Sequence, residues 1–225
     1  MPSLSYSNLT NETRSSWLPR GMKTDRVLRI LLNHPSGDLT RYRIAVMADI
    51  QQIQLSMLLR QFESRGLVRG TKVRDYRGLI YEWARRKINF QSQRYMLKGI
   101  MDLLRTTHLR YAITTYQAET LVNNYLFPTR TDLYIDRLDF DKWHNELVNS
   151  HALVGGGNVT LRLYDSGVFY NSFDTHGYHV VSIPQLIVDL IREGGVAHQA
   201  AEMLIQKQET FLSSQATELK KDLNV

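Results

Sequence analysis

The 225-residue chain predicts an α+β fold in two parts: a basic, helix-rich N-terminal unit and an acidic unit in which strands and helices interleave. Three observations predict it. Residues 38–83 read as helix, tight turn, helix, strand, basic loop, strand. Between residues 92 and 212, segments of helical and strand period take turns. Charge divides at the same place. Residues 1–98 hold 18 Lys and Arg against 7 Asp and Glu, a balance of +11, whereas residues 99–225 hold 10 against 15, a balance of −5. Such asymmetry points to two tasks on one chain.

Composition excludes several classes. The chain has no cysteine, which rules out disulfides, thiolate zinc sites and cysteine nucleophiles and fits a cytoplasmic protein. No run approaches 18 apolar residues, so no membrane partner is expected. The first residues lack the basic-then-apolar pattern of a secretory signal.

Residues 1–21 are polar and predict a loose arm, broken at Pro19-Arg20-Gly21. A first helix is expected over residues 24–33, with Val27, Leu28, Ile30 and Leu31 inward and Arg26 and Arg29 facing water. Thr40 is placed to cap a second helix over residues 41–48, its hydroxyl accepting a free first-turn N–H. Asp49-Ile50 breaks the pattern, and Asp tolerates left-handed backbone. In the next helix Ile53, Leu55, Leu58, Leu59 and Phe62 form the expected apolar stripe, closed by Gly66. Residues 67–69 and 79–81 then read as two strands around the basic loop 70–78.

This order resembles a winged helix-turn-helix, with Ala45 as the small residue at the helix crossing, Ile50 in the turn and Leu55 buried in the second helix. The family favours Gly where this chain has Asp49. The resemblance implies a double-stranded DNA partner, read by the helix after the turn. Gln51, Gln52, Ser56, Met57 and Arg60 are then the base-reading candidates. Gln pairs bidentately with adenine and Arg with guanine, and Met57 offers an apolar contact to a thymine methyl. Thr40, Arg41, Arg43, Lys72, Arg74 and Arg77 are the candidates for the DNA backbone, where contacts position the protein without reading sequence. Such proteins read paired half-sites as dimers, so a homodimer is expected.

The winged unit is expected over residues 22–88, closed by Arg85-Arg86-Lys87. The second unit, residues 92–212, predicts helices over 92–105, 115–125, 139–148, 183–193 and 197–211. Strands are expected over 111–114, 131–135, 159–164 and 178–181, with residues 168–169 paired to 159–164 through an Asp165-Ser166-Gly167 turn. Residues 213–225 read as a polar tail. A winged unit followed by RYAITTYQAETLVNNYLF, TDLYID, NVTLRLYD and VVSIPQLIVDLIREGGVAHQAAEMLI resembles the AbiEi-type antitoxin and transcriptional-regulator family over roughly residues 24–210. The most specific part is Val181-Ser182-Ile183-Pro184-Gln185-Leu186 with Asp189-Leu190, then the Gly-Gly break and Ala200-Ala201-Glu202. The resemblance implies a regulator that represses its own operon and opposes a cognate nucleotidyltransferase-type toxin. It also implies a second unit with a degenerate nucleotidyltransferase-like fold.

No catalytic residue, metal site or cofactor is expected. The alternative, a nucleotidyltransferase-like enzyme with a winged accessory unit, needs a Gly-Ser pair opening a helix and paired carboxylates for metal ions. Asp132, Asp136, Asp139 and Asp141 are on offer, but Asp139 sits where a helix cap belongs and no Gly-Ser precedes it. His176 and His179 lack an acidic cluster, and Gly155–Gly157 lacks the Lys-Ser/Thr of a phosphate loop. Ser166 and Ser172 lack a nucleophile-elbow context.

Overall fold

A computed structural model describes residues 21–86 and 90–222, with side chains through residue 215. The fold is α+β, so the coarse expectation holds. The expected N-terminal arm lies outside the described residues, apart from Gly21. Among the described residues no helix is long and apolar enough to cross a membrane.

Helix α1 spans Met22–Asn33 and buries Val27, Leu28, Ile30 and Leu31, as the spacing predicts. Helix α2 spans Arg41–Met47, and the Thr40 hydroxyl accepts from the Arg43 N–H at 3.2 Å. Asp49 adopts the left-handed backbone expected of it, at φ 51°. Helix α3 follows over Gln52–Ser64 and buries Leu55, Leu59 and Phe62, while Ala45 of α2 is buried at the crossing. Gly66, at φ 72°, turns the chain into β1, Val68–Arg69.

The segment after β1 departs from expectation. Strand β2 is Lys72–Val73, paired antiparallel with β1 through Val68↔Val73 and Arg69↔Lys72. The ribbon is therefore short. It is tied to the loop between α1 and α2, because the Val73 N–H donates to Pro35 O at 3.0 Å and the Thr71 hydroxyl to Gly37 O at 3.3 Å. Residues 79–81, expected as a strand, lie inside helix α4, Tyr76–Ala84. The reason is local. The Asp75 carboxylate accepts from the Gly78 N–H at 2.7 Å, and Tyr76, Leu79, Ile80 and Trp83 fall on one buried helical face.

The rest of the chain builds a seven-stranded sheet with helices. Strand β3 is Ser92–Met96, where a helix was expected; helix α5 begins only at Ile100 and ends at Thr106. Strand β4 is Tyr111–Thr114, helix α6 Thr115–Val122, strand β5 Thr131–Asp136 and helix α7 Phe140–Asn149. Strands β6, Leu153–Val154, and β7, Val159–Tyr164, follow. The predicted strand at residues 168–169 is a 3-10 turn, Ser166–Phe169, which Asp165 caps by accepting from the Gly167 N–H at 2.6 Å. Strands β8, Phe173–Thr175, and β9, Tyr178–Val180, form a hairpin. Its turn places His176 and Gly177 both at positive φ. Helices α8, Ile183–Glu193, and α9, Gly195–Asp222, end the described chain, so the helix runs on to Asp222, into the expected polar tail.

The sheet order is β6-β3-β7-β5-β4-β9-β8. Pairs β7/β5 and β4/β9 are parallel and the others antiparallel. Every residue of β4 and the first five of β5 are buried, so the sheet centre is covered on both faces. Helix α6 packs on β4 and β5, and α8 packs on α6 and α9. The N-terminal helices join this body where α1 and α4 pack on α8.

The join corrects the view of α1 as having a charged outer face. Arg29 is 1% exposed, and its guanidinium donates twice to Gln185 Oε1 of α8, at 3.0 and 2.7 Å, and once to Gly167 O at 3.1 Å. Gln185 donates in turn to Asp189, which also accepts from Thr114 and Tyr134. Arg26 pairs with Asp165 at 3.3 Å and Asp49 at 3.4 Å. Two turns further along the same side of α8, Arg192 donates to the carbonyls of Trp83, Ala84 and Arg86.

Candidate nucleic-acid interface

Helix α3 buries one side through Leu55, Leu59 and Phe62 and turns Gln51, Gln52, Met57 and Arg60 to solvent, with Ser56 half-buried. The structure thus brings the five predicted base readers onto one helix and its leading turn. It also exposes Ile53, expected in the core, at 74%. The helical stripe misled here: Ile53 lies two positions before Leu55, on the other side of the helix. Its exposure is the feature that periodicity missed.

The predicted backbone contacts separate into two groups. Thr40, Arg41 and Arg43 stand exposed at the start of α2, and Lys72 and Arg74 stand exposed on and just after β2. Arg69 of β1 joins them. Among the described residues none of Arg41, Arg43, Arg60, Arg69, Lys72 and Arg74 forms an ion pair. Arg65, by contrast, is held by Glu82 at 2.7 Å.

Arg77 is corrected. It belongs to α4 rather than to a wing tip, and it forms ion pairs with Glu202 and Glu209 of α9. Tyr81, one helical turn on, also hydrogen-bonds Glu202. The Tyr81 hydroxyl and the Arg77 guanidinium outweigh the cost of burial and hold the Glu202 carboxyl below its ordinary value. The same cluster pushes Tyr81 up to about 12, chiefly by burial. Arg77 is therefore committed within the protein.

Three of the four carboxylates considered for metal-dependent chemistry are engaged too. Asp132 accepts from Thr115 at 2.7 Å, Arg130 at 3.1 Å and Arg162 at 2.9 Å. Both arginines continue to Glu193. Burial opposes charge on Asp132, but Arg162, Thr115 and Arg130 together hold its carboxyl below the ordinary range. Thr115 takes positive φ, 53°, where β4 turns directly into α6, a strained position for a β-branched residue. Asp136 caps the 3-10 turn Arg137–Asp139 by accepting from the Leu138 N–H, and Asp139 is paired with Lys142 at 2.7 Å. Asp141 is exposed in the first turn of α7. Among the described residues no three His, Cys, Asp or Glu side chains converge as a metal site would require. His179 pairs with Asp174 across the β8–β9 hairpin.

Comparison with protein-family models, with curated proteins and with solved structures finds no match to this chain.

Proposed function

We propose that the protein is a sequence-specific double-stranded DNA-binding transcription regulator. In this reading residues 22–88, of which 87 and 88 lie outside the described residues, act as a winged helix-turn-helix with α3 in the major groove. The observation that carries it is a set of six exposed cations on α2, α3 and the β1–β2 ribbon that have no ion-pair partner among the described residues. A surface arginine that lacks a carboxylate is free to displace counterions from phosphate, the main source of sequence-independent affinity for DNA. Gln51, Gln52, Ser56, Met57 and Arg60 read bases, and Thr40, Arg41, Arg43, Lys72 and Arg74 hold the backbone. Binding as a homodimer on paired half-sites belongs to the same proposal.

The AbiEi-type resemblance extends the proposal to an antitoxin that autoregulates its operon and counteracts a nucleotidyltransferase-type toxin through its second half. The sheet would then be a nucleotidyltransferase-like scaffold whose carboxylates serve as caps and buried ion pairs.

The test is fluorescence anisotropy of the full chain on duplex from its own upstream region and on scrambled duplex, at two salt concentrations. Tighter binding to the native duplex, a steep salt dependence and loss of discrimination in Arg60→Ala are expected. Equal affinity for both duplexes would reject sequence-specific regulation. Co-expression with the candidate toxin tests the second half: growth should recover, and the two proteins should co-purify.

A further inference from the structure

Large apolar side chains stand open to solvent on the two helices of the candidate interface. Tyr42 and Val46 of α2 are 66% and 62% exposed, and Ile53 and Met57 of α3 are 74% and 65% exposed. Each pair is spaced four residues apart, so its members are neighbours on one helix face. A contiguous exposed apolar patch usually marks a contact surface. The surroundings narrow the occupant. Arg41 and Arg43 adjoin Tyr42 in sequence, Arg60 lies on α3, and Arg69, Lys72 and Arg74 follow it, none with an ion-pair partner among the described residues. A partner must therefore offer many negative charges and a few apolar spots at once. Duplex DNA does so, because the thymine C5-methyl is an apolar feature of the major-groove edge beside the phosphates.

We infer that Ile53 and Met57 read thymine methyl groups, so that the protein selects half-sites dominated by A·T pairs. The inference rests on the DNA-binding reading and deepens it. The polar neighbours agree. Gln51, Gln52 and Gln54 are exposed beside Ile53, and glutamine pairs bidentately with adenine N6 and N7. Only Arg60, about two turns further along α3, prefers guanine. The expected half-site is a short run of A·T pairs with a G·C pair at the Arg60 end. Four residues of helix advance about 6 Å, close to two base-pair steps, so the two methyls lie about two steps apart.

The experiment begins with selection of bound duplexes from a randomised library by the full chain at fixed salt. Each thymine of the selected site is then replaced by uracil, which removes only the C5-methyl. Affinity is measured for the native chain, Ile53→Ala and Met57→Ala. Uracil at two thymines should weaken the native chain about fourfold each, the effect of exposing one buried methyl group. Ile53→Ala should abolish the penalty at one of them and Met57→Ala at the other. Both side chains are exposed, so both variants should keep the native circular-dichroism spectrum and melting temperature. Equal affinity for thymine and uracil sites, or penalties that persist unchanged in both variants, would overturn methyl reading while leaving DNA binding intact. Recovery of no enriched sequence would instead defeat sequence-specific binding itself, and the inference with it.

Discussion

Arg29 shows what a single buried guanidinium requires. Its N–H groups find acceptors on Gln185 and Gly167, and its flat face lies 5.2 Å from the centroid of Trp83 and 5.7 Å from that of Tyr164. Arg29→Met keeps much of the volume but leaves the Gln185 and Gly167 oxygens without donors. A loss of about 2–4 kcal/mol in urea unfolding is expected. Nothing near Arg29 in the sequence announces this role, because Gln185 lies 156 positions away. Two carboxylates give opposite pH dependence. Burial raises the pKa of Asp25, and Trp83, Arg192, Arg29 and Arg86 offset it only in part. Its contribution to stability is full below the unfolded value of about 3.9 and is lost as pH rises through the higher folded value. Asp132 is the reverse: its lowered folded pKa stabilises the protein above about 3.9, and the benefit is lost as pH falls through the folded value. Asp25→Asn should therefore remove the decline in stability that the raised Asp25 pKa predicts for the native chain as pH rises from about 4 towards neutrality. Urea midpoints over a pH series measure it, and a decline that persists in the variant would assign it elsewhere.

The β1–β2 ribbon is the element most exposed to a small change. Gly37 sits at φ 79°, and a Cβ there would meet the Lys72 backbone and Cβ at 2.8–2.9 Å. Gly66 also has positive φ, 72°, but opens onto free space. Gly66→Ala should cost about 1–2 kcal/mol for the left-handed backbone alone. Gly37→Ala should cost more, because the ribbon must also shift. Thermal melts of the two variants rank them, and equal losses would show that the ribbon yields freely. The contrast follows what was legible in the sequence. The Thr40 cap, the left-handed Asp49 and the Gly66 terminator depend on a few neighbouring residues, and each is found where expected. Helix α4 was legible in principle, from Asp75 followed by apolar residues at helical spacing, but the glycines around it suggested a hairpin. Strand β3 was not. Its identity depends on pairing with β7, more than sixty residues away, and tertiary pairing overrides local period. The exposed positions of α3 were legible apart from Ile53, whose exposure turns on which side of the helix the core occupies.

At the scale of the molecule, the division into a basic and an acidic half is partly cancelled where the halves meet. Arg26 is taken up by Asp165, and Arg77 by Glu202 and Glu209. Arg192 crosses to the carbonyl end of α4, and α1 and α4 pack on α8. These contacts predict one cooperative unfolding transition for the full chain, recorded alike by tryptophan fluorescence and circular dichroism; two separated transitions would mean that the halves are independent. If the protein binds DNA as proposed, they also decide which cations remain for phosphate. Phosphate affinity depends on the cations that release counterions on binding, so counting arginines overstates it. Lys72→Ala should lower the slope of log affinity against log salt by about 1, with similar losses on every sequence. Arg77→Ala removes the same formal charge but one already neutralised by two glutamates. Its slope should stay near that of the native chain, while stability falls by about 0.5–1 kcal/mol, the scale of a half-exposed ion-pair cluster. Salt titrations of the two variants on one duplex separate the cases. Equal loss of slope would place α4 on the DNA, and no loss in Lys72→Ala would remove the ribbon from it.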